Sequence, residues 1–461
     1  MNYIFNLPML SLSPSEGERG PSINLCHRLT YMSNPRQKWS SQSGSVLVMT
    51  LFIAFIFGFF LFYYLNLAST QRNLMARSQA WNSSLTLAEA GAEEALAQLN
   101  PAVPLPVVDR TANGWGAPSA GIYGPMNRTM GAGTYGVIYN TNKYPIIYST
   151  GYVAVASSSA ILSRTIRVAT TNIPLFTFAM AAENNLNFNG NNVTTDSFNS
   201  APGSPFNTNG YYNASHASTN GDIGSVSGVV NVGNANVNGS VFLSPTGTDS
   251  IKNNGTVTGN TYYNFNPTFP NVTLPAGYTT WVSPPLWVGP LFTPTNILGT
   301  TYNFAFYGTN DYKISGLGGS VYVGPNASIR LYLINNASPS VIRVSGTSTN
   351  AGHLTIYMDG PSFTLSGNDT IDGGNAANLA YFGTTNNTSI TFSGNAAFTG
   401  TIYAPEAAFT LGGGGPNTYD FVGSSVTSSV TINGHFNFHY DENLINAGPL
   451  RGYAANSWRE L

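Results

Sequence analysis

Charge is what this chain has least of. Its 461 residues carry 17 Lys+Arg and 19 Asp+Glu, a net charge of −2, and only 8% of positions are charged, against about 25% in an ordinary soluble domain. So few cations exclude a nucleic-acid-binding surface, which has to neutralise phosphates. A single cysteine, Cys26, excludes a disulfide-stapled or cysteine-ligated zinc module. P-loop, G-x-S-x-G and HExxH motifs are all absent from the sequence. What is abundant is Gly at 49 positions and Tyr and Phe at 26 each, in a chain that is 42% hydrophobic. That is enough to bury a core, so the chain is not a disordered one. Its length allows two or three domains at roughly 100–200 residues each. Low charge with much Gly, Asn, Ser and Thr predicts a β-rich, extracytoplasmic protein.

Ser45 to Leu65 reads SVLVMTLFIAFIFGFFLFYYL, without charge or proline. About 20 such residues at 1.5 Å each span a bilayer core, and Tyr63 and Tyr64 stand at one end, where aromatic rings favour the headgroup layer. The run continues to Asn100 with Leu67, Leu74, Trp81, Leu85, Ala88, Ala92, Ala95 and Leu99 at helical spacing, one apolar stripe of an amphipathic helix. Arg72, Arg77, Glu89, Glu93, Glu94 and Gln98 mark the other face. Pro101, Pro104 and Pro106 stop it. One helix over 45–100 is therefore expected, membrane-spanning at 45–65.

A short basic leader ending in Gly, an uncharged apolar helix and an amphipathic continuation with Ala-Glu-Ala-Gly at 88–91 together resemble the type IV prepilin (class III) N-terminus, in the PilX-type flavour. The likeness covers about residues 32–100. It implies cleavage by a prepilin peptidase between Gly44 and Ser45 on the cytoplasmic side. Major pilins carry Glu at the fifth mature position, and here that position is Met49. The departure implies a minor or initiating subunit rather than the repeating one. Starting at Met32 gives MSNPRQKWSSQSG, a leader of prepilin shape, whereas residues 1–31 lack leader character. Met32 is the expected start, with 1–44 as the leader segment.

Residues 101–172 change to period-two patterns such as GTYGVIYNT and YPIIYSTGYVAVAS, which predict a small antiparallel sheet packed on the helix. Over 173–447 a phrase recurs: FNGNN at Phe188, VNGSV at Val237, VTGN at Val257, LSGND at Leu365, FSGNA at Phe392 and INGHF at Ile432. Irregular coils of about 20 residues joined by Gly/Asn turns fit a parallel β-helix; a β-sandwich is the competing architecture. The proline-rich stretch from Pro267 to Pro294 is expected to interrupt the coils as a loop or hairpin, and 448–461 to be a tail. The segment from GTIYAPEAAFTL to SWREL resembles the C-terminal part of an uncharacterised bacterial family of β-rich proteins, which implies architecture and no chemistry. The expected class is α+β: a long helix, a small antiparallel sheet and a β-solenoid.

Chemistry is sparse. Asp359, Asp369, Asp372 and Glu406 are the acids that stacked coils are able to gather, as a glycosidase or lyase would require, but isolated turn residues are the expectation. Gly367–Gly374 resembles one copy of a calcium-binding nonapeptide, which alone lacks half its ligands. His435 and His439 flank Phe436 and Phe438 in a strand pattern, which sets the two imidazoles about 13 Å apart, too far for one metal. His439, Asp441 and Glu442 are expected to close the fold by hydrogen bonding. No catalytic residue, cofactor or metal is assigned. The expected function is a minor pilin-like component of a type IV pilus or type II secretion-like system. It would sit in the cytoplasmic membrane beside other pilin-like subunits and display the solenoid for protein or glycan contact. The alternative is a carbohydrate-active enzyme on a prepilin-like anchor.

Overall fold

The computed structural model describes residues 43–100, 112–156, 158–190, 193–204, 210–251, 254–281, 295–297, 299–366, 369–371, 375–393, 397–413 and 419–461. The chain divides into a unit ending at Gln71 and a unit from Arg72 to Leu461. Helix α1 runs over Ser43–Leu99, 57 residues. In the first unit every side chain from Val46 to Leu65 is exposed. This stretch is long and apolar enough to cross a membrane, with a mean hydropathy of 2.6.

In the second unit the rest of α1 packs on an antiparallel sheet. Its strands are β1 (Ile122–Met130), β2 (Gly133–Asn140), β3 (Ile146–Ala154) and β4 (Ile161–Pro174), ordered β1-β2-β3-β4 with a C-terminal strand beside β4. Val137, Tyr139, Ile147, Ile166 and Val168 alternate inward and meet Ala88, Ala92, Ala95 and Leu99, the period-two and helical patterns meeting in one core. The helix stripe is rotated from the expected one. Trp81 is 47% exposed, whereas Gln98 is buried and accepts a bond from Asn113 Nδ2 at 3.3 Å. Proximity is the reason: a Cβ on Gly151 would lie 2.0 Å from the Ser84 carbonyl oxygen, and one on Gly91 would lie 2.3 Å from Ser149 Oγ. Small residues at Ser84, Ala88 and Gly91 bring the helix close to Gly151 and Ser149 of the sheet, and Trp81 lies outside that contact. The expected C-terminal tail is corrected too. Leu450–Glu460 is a strand, antiparallel to β4 from Leu450↔Pro174 to Glu460↔Ile166.

The remainder is a parallel β-solenoid of about nine turns, not a sandwich. Its main ladder stacks, in spatial order, the strands at 309–314, 328–333, 353–358, 379–383, 401–403, 425–427, 180–182, 223–225, 241–243 and 261–262. Four copies of the recurring phrase, at Leu365, Phe392, Ile432 and Phe188, mark one corner of this solenoid, whereas those at Val237 and Val257 pair with each other on the ladder of Thr195. Leu365 pairs with Phe392, Phe392 with Leu411, Leu411 with Ile432 and Ile432 with Phe188, a buried apolar column.

Spatial order and chain order differ. The chain enters the stack in its middle, at 180–182, and climbs to 261–262. It then resumes at the far end, at 304–314, and returns coil by coil to Asp441. Residues 265–281 form a strap across the main ladder. Outward-facing Tyr332, Tyr357, Phe382 and Tyr403 follow one another in register, and the strap buries this column. Tyr278 meets Tyr332 edge-on at 5.0 Å and Trp281 meets Tyr357 at 6.2 Å; Tyr403 donates to the Pro270 carbonyl at 2.7 Å. The expected interruption is thus a cover for an apolar sheet face. Residues 282–294 lie outside the described ones.

Candidate functional site at the seam of the solenoid

The two arms of the solenoid meet where the strand Phe436–Asp441 pairs with Thr194–Phe198, His439 opposite Asp196. His439 Nδ1 lies 2.5 Å from Asp196 Oδ1, and Nε2 lies 3.4 Å from Asp420 Oδ1. The Tyr212 ring stacks on the imidazole at 3.5 Å with a 19° tilt, and its hydroxyl donates to Asp196 Oδ2 at 2.7 Å. Burial alone would lower the His439 pKa, but the bond to Asp196 and the nearby Asp420 carboxylate together outweigh it and hold the imidazole above its ordinary value. Asp420 is held below the usual carboxylate value: the nearby His439 ring and the bond from Asn437 Nδ2 at 3.2 Å overcome a desolvation cost. Tyr212 is pushed up, first by desolvation and then by its bond to Asp196.

The following residues continue the seam. Asp441 accepts from Ser200 Oγ at 2.7 Å, Ser200 N at 3.1 Å and Asn443 N at 3.0 Å; its burial still raises its pKa. Glu442 accepts from Ser197 Oγ and Asn220 Nδ2, each at 2.8 Å. His439, Asp441 and Glu442 therefore bond across the junction, as a closing cluster. His435 precedes the strand and is half-exposed. With its side chain 3% exposed, His439 has no room beside it for a substrate, and the arrangement acts as an ionic clasp. Asp196, Asp420 and Tyr212 carried no signal in the sequence: Asp196 and His439 are 243 positions apart, and no local motif links them.

Beside the seam lies an open groove of about 870 Å3, lined by Ser200, Ser204, Asn326, Asn350, His353 and Asn378 among others. Its lining is hydroxyl and amide, and the His353 pKa is lowered by burial. Asn326 adopts a left-handed φ of 56°, the turn conformation that asparagine tolerates. Of the acids considered for hydrolysis, the two whose side chains are described, Asp359 and Glu406, do not line this groove. Asp359 staples a turn, accepting from Tyr332, Thr384 and Asn386 at 2.6–2.9 Å. Glu406 is exposed and is felt by Glu183, whose pKa rises through burial and then through that charge. Asp369 is described only as backbone in Asp369–Ile371, and Asp372 lies outside the described residues. Among the described residues no three His, Cys, Asp or Glu side chains converge as a metal-holding group. Gly44 and Ser45 fall in the first turn of α1.

A family described as a domain of unknown function, DUF7305, matches residues 332–447. That span covers most of the arm of the solenoid leading to the seam. No curated protein matches the chain. Among solved structures, the chain is similar to the competence-associated pilin ComZ of Thermus thermophilus: 11% identity, a TM-score of 0.28, 82% of this chain and 96% of that one covered.

Proposed function

We propose that this chain is a minor, PilX-like pilin subunit of a type IV pilus or type II secretion-like filament. In this reading it is anchored in the cytoplasmic membrane and is not an enzyme. The observation that carries the reading is the unbroken helix Ser43–Leu99. Its first part is uniformly apolar and exposed, while its later part packs under a small antiparallel sheet. An exposed apolar run of this length needs lipid or neighbouring apolar helices around it. Met49 in place of an acid avoids an unpaired carboxylate in the membrane and fits a subunit that does not repeat along the filament. The solenoid, poor in charge and rich in Asn, Thr and Tyr, is then displayed for contact with proteins or glycans.

The experiment is the mature N-terminus. Mass spectrometry of the protein from its own cells should find Ser45 at the start. Gly44→Glu should leave the precursor uncut, because a charged side chain does not fit a peptidase site shaped for glycine. A mature chain beginning elsewhere overturns the reading.

A further inference from the structure

At one end of the main ladder, Thr280 and Trp281 face its first two rungs. Between them lies an open cavity of about 590 Å3, bordered by Thr309, Asn310, Asp311, Ser328 and Arg330, a size within the roughly 300–1,000 Å3 of ligand sites. Asp311 and Arg330 are directly opposed in register and form a bidentate pair, with Arg330 Nε 2.6 Å from Asp311 Oδ1 and Nη2 on Oδ2. The guanidinium also lies over the Trp281 ring, 5.0 Å from its centroid. Its planar fork is thus fixed on two sides, by the carboxylate and by the indole. The Asn310 side chain is fixed as well, donating to the Tyr307 carbonyl at 2.9 Å.

The geometry points to a binding site for a neutral oligosaccharide. A sugar ring offers an apolar C–H face and a rim of hydroxyls that donate and accept. The face of the half-buried Trp281 indole turned away from Arg330 answers the sugar face. Asp311 keeps accepting lone pairs beyond those given to Arg330, and the guanidinium keeps N–H donors beyond those given to Asp311. The exposed Thr309, Asn310 and Ser328 add hydroxyl and amide groups of both kinds. The opposite charges cancel locally, so a strongly anionic polymer would meet Asp311 unfavourably and a cationic one Arg330. An uncharged chain of hydroxyls meets neither cost.

The inference rests on the glycan-contact part of the proposed function and names its site and ligand class, while its test stands apart from that of the pilin-like anchor. Full-length protein in nanodiscs is titrated calorimetrically with maltohexaose, cellohexaose and chitohexaose. At least one of the three should bind saturably. Trp281→Ala and Asn310→Ala should each weaken that binding tenfold or more, while Ser348→Ala in the other groove leaves it unchanged. Asn310 is exposed, so its variant keeps the test valid if Trp281→Ala misfolds. Failure of all three sugars to bind, or binding untouched by both variants, overturns the site. Gly44→Glu, which blocks processing, should bind sugar like the unaltered chain, which separates the two readings.

Discussion

His439 has a charge state selected by its surroundings. An imidazole buried alone would give up its proton, but this one lies between Asp196 and Asp420, and the two carboxylates reverse the balance. Its pKa is raised above the ordinary 6.5, so its contribution to stability is fully present below 6.5 and is lost as pH climbs through the folded value. Asp420, held below 3.8, contributes above 3.8 and is lost as pH falls through its own folded value. Asp441 opposes it, being raised, and costs stability as pH climbs past its unfolded value. The clasp is therefore strongest between about 3.8 and 6.5, and the melting temperature should fall as pH rises beyond that window. His439→Gln keeps a hydrogen-bonding side chain without the charge. It should cost about 3–5 kcal/mol in the window, as expected when one partner of a buried pair is removed, and flatten the decline on the alkaline side. Melting curves from pH 5 to 9 check this; an unchanged slope in the variant refutes it.

The packing of α1 on its sheet turns on two glycines that differ in what surrounds them. An added Cβ at Gly151 meets backbone, the Ser84 oxygen at 2.0 Å and the Ala88 nitrogen at 2.8 Å, so helix and sheet must separate. At Gly91 it meets side chains, Ser149 Oγ at 2.3 Å and the Tyr135 ring at 2.7 Å, both buried, which have to shift but leave the backbone in place. Gly151→Ala should cost about 1–3 kcal/mol by overpacking. Gly91→Ala should cost less, because about 1 kcal/mol of helix propensity offsets part of its clash with side chains. Thermal unfolding of the two variants, followed by circular dichroism, orders them; equal losses would sink the argument. Much of this was legible in the sequence. The long apolar run, the alternation in GTYGVIYNT and the recurring Phe/Leu/Ile–Gly phrase each express a local period, and local periods survive in one dimension. The rotated stripe of α1, the C-terminal strand and the seam were not legible. Trp81 reads as core until the approach at Gly151 is known, SWREL reads as a tail until β4 lies beside it, and Asp196 meets His439 only through the stacking order.

The order of the coils follows from how the solenoid is attached. Its two connections are β4 and the C-terminal strand, which are neighbours in one sheet and pair at Pro174↔Leu450. Neighbouring strands are about 4.8 Å apart, whereas nine steps of a parallel stack separate its ends by about 43 Å. A solenoid wound in simple chain order would not fit between those two strands. Beginning in the middle, climbing, strapping back over the outside and returning to the middle brings entry and exit together, as insertion of one domain into another requires. The register shows how small the break is. Gly423 pairs with Tyr440 and Ser425 with Met180, so Met180 stands two positions beyond Tyr440 along the same coil. A single residue bridges that gap. We therefore expect a rearranged chain to fold as a solenoid on its own: residues 300–441 first, then Asp441 joined directly to Met180, continuing through the strap to Trp281. It keeps the cover over Tyr332, Tyr357 and Tyr403 and keeps Asp196 against His439. Its far-ultraviolet spectrum should be that of a β protein, its melt cooperative, and its protected amides those of the main ladder. If this chain collapses, or protects only one of its two arms, the arms are separate stacks pressed together and the single-solenoid description fails.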